Sequence, residues 1–185
     1  MKHWSIGILV TTILFAAASS SFAQEASTNA VATYTDWTVY VETDPVQCWV
    51  ASVLDTTDPS KSQATRDGQQ LDVRREVRRD TTQLVVSYWP QLDRRGEVSF
   101  TGGYVFAPGS TVTLQIGEAT FEMFTVDEMA WAASAQEDQQ IVTAMKRGAD
   151  AVLTARSARG TQTKDTFSLI GFTAAVEDAD ARCSG

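Results

Sequence analysis

The single histidine of this 185-residue chain is His3, near the amino end. It lies inside a segment with the marks of a removable leader, so the working protein has no imidazole. That excludes Ser-His-Asp and Cys-His nucleophilic catalysis, histidine general bases and the usual imidazole ligands of catalytic zinc, copper and non-haem iron. Cys48 and Cys183 are the only cysteines. In an oxidising compartment they pair with each other, which withdraws cysteine nucleophiles and thiolate metal sites. No Gly-x-Ser-x-Gly elbow, Ser-x-x-Lys pair, phosphate-cradling glycine loop or calcium loop occurs, and Gly102-Gly103 is too short to count. Neither a cofactor nor a metal is expected.

Three groups of side chains remain. Asp127, Glu128, Glu137 and Asp138 are carboxylates close in sequence. They fit either an acid pair of the glycosidase kind or solvated acids at a helix start, where the helix dipole favours them by a few tenths to about 1 kcal/mol. Trp37, Trp49, Tyr88, Trp89 and Trp131 fit either core filling or stacking against a sugar. Tyr88 and Trp89 are neighbours on an expected strand and must face opposite ways. Arg74, Arg75, Arg78 and Arg79 form the most conspicuous charge run, interleaved with Asp72, Glu76 and Asp80. They either pair locally on a solvated strand or grip carboxylates or phosphates of an envelope polymer. Lys146, Arg147, Arg156, Arg159 and Lys164 make a second basic patch. The candidate partner-binding residues are Arg74, Arg75, Arg78, Arg79 and Trp89.

The compartment follows from the amino end. Lys2, an apolar run over residues 6–18 and the small-residue exit Ser21-Phe22-Ala23 are the parts of a secretory signal, with cleavage expected before Gln24. The run is shorter than the roughly 18–20 residues needed to cross a bilayer as a helix. No integral membrane segment is expected in the mature chain. Removing the leader leaves roughly 160 residues, one domain's worth. It also removes Lys2, so the formal charge of −8 becomes one unit more negative. Nucleic acid and anionic lipid surfaces repel such a protein. A disulfide closing the loop from Cys48 to Cys183 would restrict the unfolded chain by about 5 kcal/mol in the loop-entropy model.

These groups must be positioned by strands. Residues 24–35 are small and polar and read as a flexible arm, so the domain is expected over 36–185. Trp37, Val39 and Val41 share one face of a first strand; Val46, Cys48, Val50 and Val53 suggest a second beyond the Asp44-Pro45 turn. Residues 55–70 read as a long loop ending in the tight turn Asp67-Gly68. Strands are expected at 71–77, 84–89, 97–106, 111–116 and 120–125, then at 151–158 and 165–170. Ser134 followed by Glu137 is a capping box opening a helix that Gly148 stops, and a terminal helix from Thr173 puts Val176, Ala179 and Cys183 on one face. Short, evenly spaced strands favour an antiparallel sandwich or barrel.

The stretches SFTGGYVFAPGSTVTLQIG and MKRGADAVLTARSARGTQTKDTFSLIGFTAAV, with the closing ARC, resemble the invasion-associated locus B family of bacterial envelope proteins. The resemblance runs over residues 36–185. It implies a Gram-negative source, export to the periplasm and an immunoglobulin-like β-sandwich. With the two helices read above, the expected fold is a mainly β, immunoglobulin-like antiparallel β-sandwich with one inserted helix and a short carboxy-terminal helix, located in the periplasm, free or at the outer membrane. The family name refers to a pathogen's invasion of red blood cells, and no defined enzymatic activity goes with it, so no catalytic residue carries over. The expected function is that of a non-enzymatic binding or accessory protein whose partner is an envelope protein or anionic polymer. The alternatives are a carbohydrate- or peptidoglycan-binding module, and a carboxylate-based hydrolase.

Overall fold

The structure, a computed structural model, describes residues 29–184. The leader, its cleavage site and the first part of the expected arm lie outside the described residues. In chain order the strands are β1 (Ala30–Tyr34), β2 (Trp37–Thr43), β3 (Val46–Val53), β4 (Ser62–Arg66), β5 (Gln69–Leu71), β6 (Gln83–Trp89), β7 (Arg94–Thr101), β8 (Thr111–Ile116), β9 (Ala119–Val126) and β10 (Met129–Trp131). Helix α1 (Ala135–Met145), β11 (Asp150–Arg156), β12 (Gln162–Ser168) and helix α2 (Phe172–Cys183) complete the domain. The strands form one antiparallel sheet in the order β1-β2-β3-β6-β7-β10-β9-β8-β11-β12-β4-β5.

Side-chain alternation decides which face is inside. Val112, Leu114 and Ile116 of β8, Ala151, Leu153 and Ala155 of β11, and Leu84 and Val86 of β6 are buried, while their neighbours in sequence are more open. The sheet curls so that distant strands share this interior. Phe100 of β7 meets Phe167 of β12 edge to face at 6.1 Å although four strands separate them in the sheet. The Trp37 indole N–H of β2 donates to the Ser168 carbonyl of β12 at 3.0 Å. The result is sandwich-like, mainly β, with two helices.

Those helices pack on the inner face. Ser134 Oγ accepts from the Glu137 amide, and Glu137 Oε2 accepts from the Ala133 amide at 2.8 Å, so the reciprocal cap read from the sequence opens α1. Ala175, Val176, Ala179 and Cys183 are the buried stripe of α2. Cys183 is disulfide-bonded to Cys48 of β3 with a Cα–Cα distance of 6.0 Å, which fastens α2 to the β2–β3 end of the sheet.

Four expectations are corrected. Residues 30–34 are a strand rather than a flexible arm: Thr35, at φ 54, turns the chain so that Thr33 pairs with Thr38 and Tyr34 with Trp37. The expected loop over 55–70 contains β4, whose small residues Ser62 and Ala64 are buried against β12. Asp67 (φ 51) and Gly68 (φ 77) then form a two-residue hairpin turn to β5. The strand expected over 71–77 stops at Leu71 because Asp72 turns the chain: its Oδ1 accepts from the Arg74 amide and its carbonyl from the amides of Arg75 and Glu76. The strand expected to run to residue 106 ends at Thr101, since Gly103 sits at φ +69 with its backbone against Asp80.

Candidate functional site

The arginine run divides by burial. Asp165 occupies an inward position of β12 between Thr163 and Phe167, all three buried, and a carboxylate there needs a partner. Arg79 supplies it. Its Nη1 and Nη2 donate to Asp165 Oδ1 and Oδ2 at 2.8 and 2.6 Å, and the two side chains are 2% and 0% exposed. Ser62 Oγ of β4 donates to Asp165 Oδ1, and Arg79 Nε donates to the Gly102 carbonyl at 2.7 Å. The Tyr104 ring lies 5.1 Å from the guanidinium carbon, and its hydroxyl is 2.6 Å from Thr163 Oγ1. Burial pushes the Tyr104 phenol up to about 12. This cluster ties the 72–82 segment to β12 and to the end of β7, so Arg79 is withdrawn from the candidate partner-binding set.

The other arginines of the run are exposed. Arg74 donates to the Thr57 carbonyl, and Arg75 stands 3.7 Å from Asp72 in a surface pair of little energetic weight. Arg78 lines a cavity of about 430 Å³ together with Arg66 and Arg159, above the Arg79–Tyr104 floor. Arg66 is oriented by two bonds from Nε and Nη2 to Thr161 Oγ1, at 2.9 and 2.6 Å. Arg78 and Arg159 have no hydrogen-bond or ion-pair partner among the described residues. Glu76, Asp80 and Glu128 share the wall. The fold thus joins Arg78, next to the sealed Arg79, with Arg159 of the second basic patch, and adds Arg66, which sequence reasoning missed. Its signal was its place just before the Asp67-Gly68 turn. Lys146 pairs instead with Glu177 at 3.2 Å, and Arg147, Arg156 and Lys164 do not line this cavity.

The aromatic residues divide as well. Trp37 is fully buried and Tyr88 nearly so, and burial raises the Tyr88 phenol. Trp49, Trp89 and Trp131 are half-buried on the outward face of the sheet. Trp49 stacks on Tyr40 at 5.2 Å, Trp131 on Phe124 at 5.7 Å, and the Trp89 indole N–H donates to Ser87 Oγ at 3.3 Å.

The four neighbouring carboxylates do not form one site. Asp127 and Glu128 make the β9–β10 turn, Glu137 is occupied by its cap, and Asp138 Oδ1 accepts from the Val98 amide at 2.8 Å. Glu128 and Asp138 line different cavities. Among the described residues no group of three or more His, Cys, Asp or Glu side chains is placed to hold a metal ion, and no helix is long and apolar enough to cross a membrane.

Comparison with curated proteins gives no match. Among solved structures, the crystal structure of invasion associated protein B from Bartonella henselae is similar, with a TM-score of 0.52 at 17% identity over 83% of this chain and 98% of that one. At that identity the likeness concerns the fold. The family model described as invasion associated locus B (IalB) protein matches residues 41–180, most of the chain including both cavities' central walls, and the chain therefore belongs to the IalB family.

Proposed function

We propose that this protein is exported to the periplasm, where it acts without catalysis as a binding or accessory protein, free or at the outer membrane, and that it docks its partner at the Arg66–Arg78–Arg159 cavity. The meeting of these three arginines from separate segments in one cavity, over the buried and hydrogen-bonded Arg79, is the observation that carries the reading. Export is supported by the leader-like amino end and by the Cys48–Cys183 disulfide. The absence of catalysis is supported by the lack of histidine beyond His3 and by the separation of the sequence-neighbouring carboxylates Glu128, Glu137 and Asp138.

The wall charges narrow the partner. Three accessible guanidiniums stand beside Glu76, Asp80 and Glu128, on a chain of net charge −8. A uniform polyanion would meet repulsion from both the wall carboxylates and the whole-protein field. A protein surface presenting carboxylates to the arginines and donors to the acids fits better.

The test is retention of the purified mature protein on its native envelope fraction from low to physiological salt, where exposed charges are screened over about 8 Å. Binding should weaken as salt rises. The double variant Arg78→Ala with Arg159→Ala should lose about tenfold or more in affinity at low salt, about 1.4 kcal/mol. Salt-insensitive retention that survives the double variant would refute the assignment.

A further inference from the structure

A second cavity, of about 820 Å³, lies where the start of α1 faces the outer side of β9 and β10 and the start of β7. Its volume is within the roughly 300–1,000 Å³ of small-ligand sites. One wall is the stacked pair Phe124 and Trp131, their planes 29° apart, with Phe124 46% exposed. The pair offers the cleft a flat, partly solvated apolar face. The opposite wall contains Asp138, which is 7% exposed. Its Oδ1 is fixed by the Val98 amide, and Oδ2 has no hydrogen-bond partner among the described residues.

We propose that this cleft binds an uncharged saccharide, with the C–H face of a sugar ring on the Trp131–Phe124 platform and ring hydroxyls donating to Asp138. An anionic ligand meets Asp93, Glu97 and Asp138; a cationic one meets Arg94 and Arg95. A wholly apolar ligand covers the aromatic wall but takes Asp138 Oδ2 out of water without offering it a donor, which is expensive. A sugar carries both an apolar face and O–H donors.

The walls are preorganised for such a ligand. Trp131 is pinned on both sides, paired with Ser99 of β7 and Phe124 of β9. Arg94 is held by Glu97 at 2.9 Å, and Arg95 by Asp180 and Ser184 at 3.2 and 2.6 Å. The site is separate from the arginine cavity and stands or falls independently of the partner proposed for it.

The experiment titrates the mature protein with chitotriose, cellotriose and maltotriose, followed by tryptophan fluorescence and calorimetry, with trigalacturonate as the charged control. At least one neutral trisaccharide should bind with little salt dependence. Its affinity should fall about tenfold or more in Trp131→Ala and in Asp138→Asn, and stay unchanged in Trp49→Ala and Arg78→Ala. Asp138→Asn retains the oxygen that accepts from the Val98 amide. If Trp131→Ala does not fold, Phe124→Ala removes half the platform from an exposed position. Absence of binding by all three neutral sugars, binding that survives the platform variants, or tighter binding of trigalacturonate would each overturn the proposal.

Discussion

Replacing Asp165 or Arg79 alone should be among the most damaging single changes in the domain. In Arg79→Ala, Asp165 remains fully buried with only the Ser62 hydroxyl to balance its charge. In Asp165→Asn, the new amide group turns N–H donors toward the guanidinium that donates to both carboxylate oxygens now. Leaving one member of a buried pair uncompensated costs about 3–5 kcal/mol. At about 2–4 °C per kcal/mol for a domain of this size, the melting temperature should fall by about 6–20 °C. The apolar double replacement Arg79→Met with Asp165→Leu should recover much of that loss, because no charge then stays buried. The Gly102 carbonyl loses the Arg79 Nε bond but keeps the Thr82 hydroxyl at 3.0 Å. Thermal and urea unfolding of the two single variants and the double, followed by circular dichroism, give the coupling directly. Single variants that shift stability by less than about 1 kcal/mol would show that the cluster is not buried as described and would return Arg79 to the candidate binding residues.

Replacing both Cys48 and Cys183 with serine should cost about 2–5 kcal/mol and lower the melting temperature by several degrees, measured under non-reducing conditions; an unchanged melt would contradict the disulfide's structural role. Burial, opposed by the Val98 bond, raises the Asp138 carboxyl above its ordinary value of 3.8. The folded state then binds the proton more tightly than the unfolded state, so this group's contribution falls as pH rises from 3.8 through the raised pKa. The melting temperature of Asp138→Asn relative to wild type should therefore increase from acid to neutral pH, and a constant difference would refute the shift. Gly103→Ala and Gly109→Ala both place a side chain at positive φ, but only the first drives a Cβ into the Asp80 carbonyl. Urea midpoints should show a loss of about 1–2 kcal/mol at Gly109 and a larger one at Gly103.

Much of the frame was legible because its signals are local. Val112, Leu114 and Ile116 announce β8 by alternation, Ser134 and Glu137 announce α1 by capping, and two cysteines leave one pairing. The strands that escaped, β1, β4, β5 and β10, are short, and β4 buries only Ser62 and Ala64 inward; sheet pairing rather than hydrophobic period makes them strands. The site was harder to read. Arg78 and Arg79 are adjacent and alike in sequence, yet one lines a cavity and the other is sealed against Asp165. A clue existed in β12, where Asp165 interrupts the inward row between Thr163 and Phe167 and calls for a cation. Nothing local links Arg66, Arg78 and Arg159: the order β11-β12-β4 brings together the strand ends that carry Arg159 and Arg66, and the Arg79–Asp165 pair anchors the 72–82 segment that carries Arg78.

Site-specific photo-crosslinking in living cells decides whether an envelope partner docks at the arginine cavity. A photoreactive residue at Val105, 47% exposed on the cavity wall, is compared with one at Val53, 61% exposed on a different part of the surface. A discrete cross-linked envelope protein is expected from the Val105 position, absent at Val53 and lost when Arg78 and Arg159 are also replaced by alanine. No adduct at Val105, or the same adduct from both positions regardless of the arginines, would contradict it.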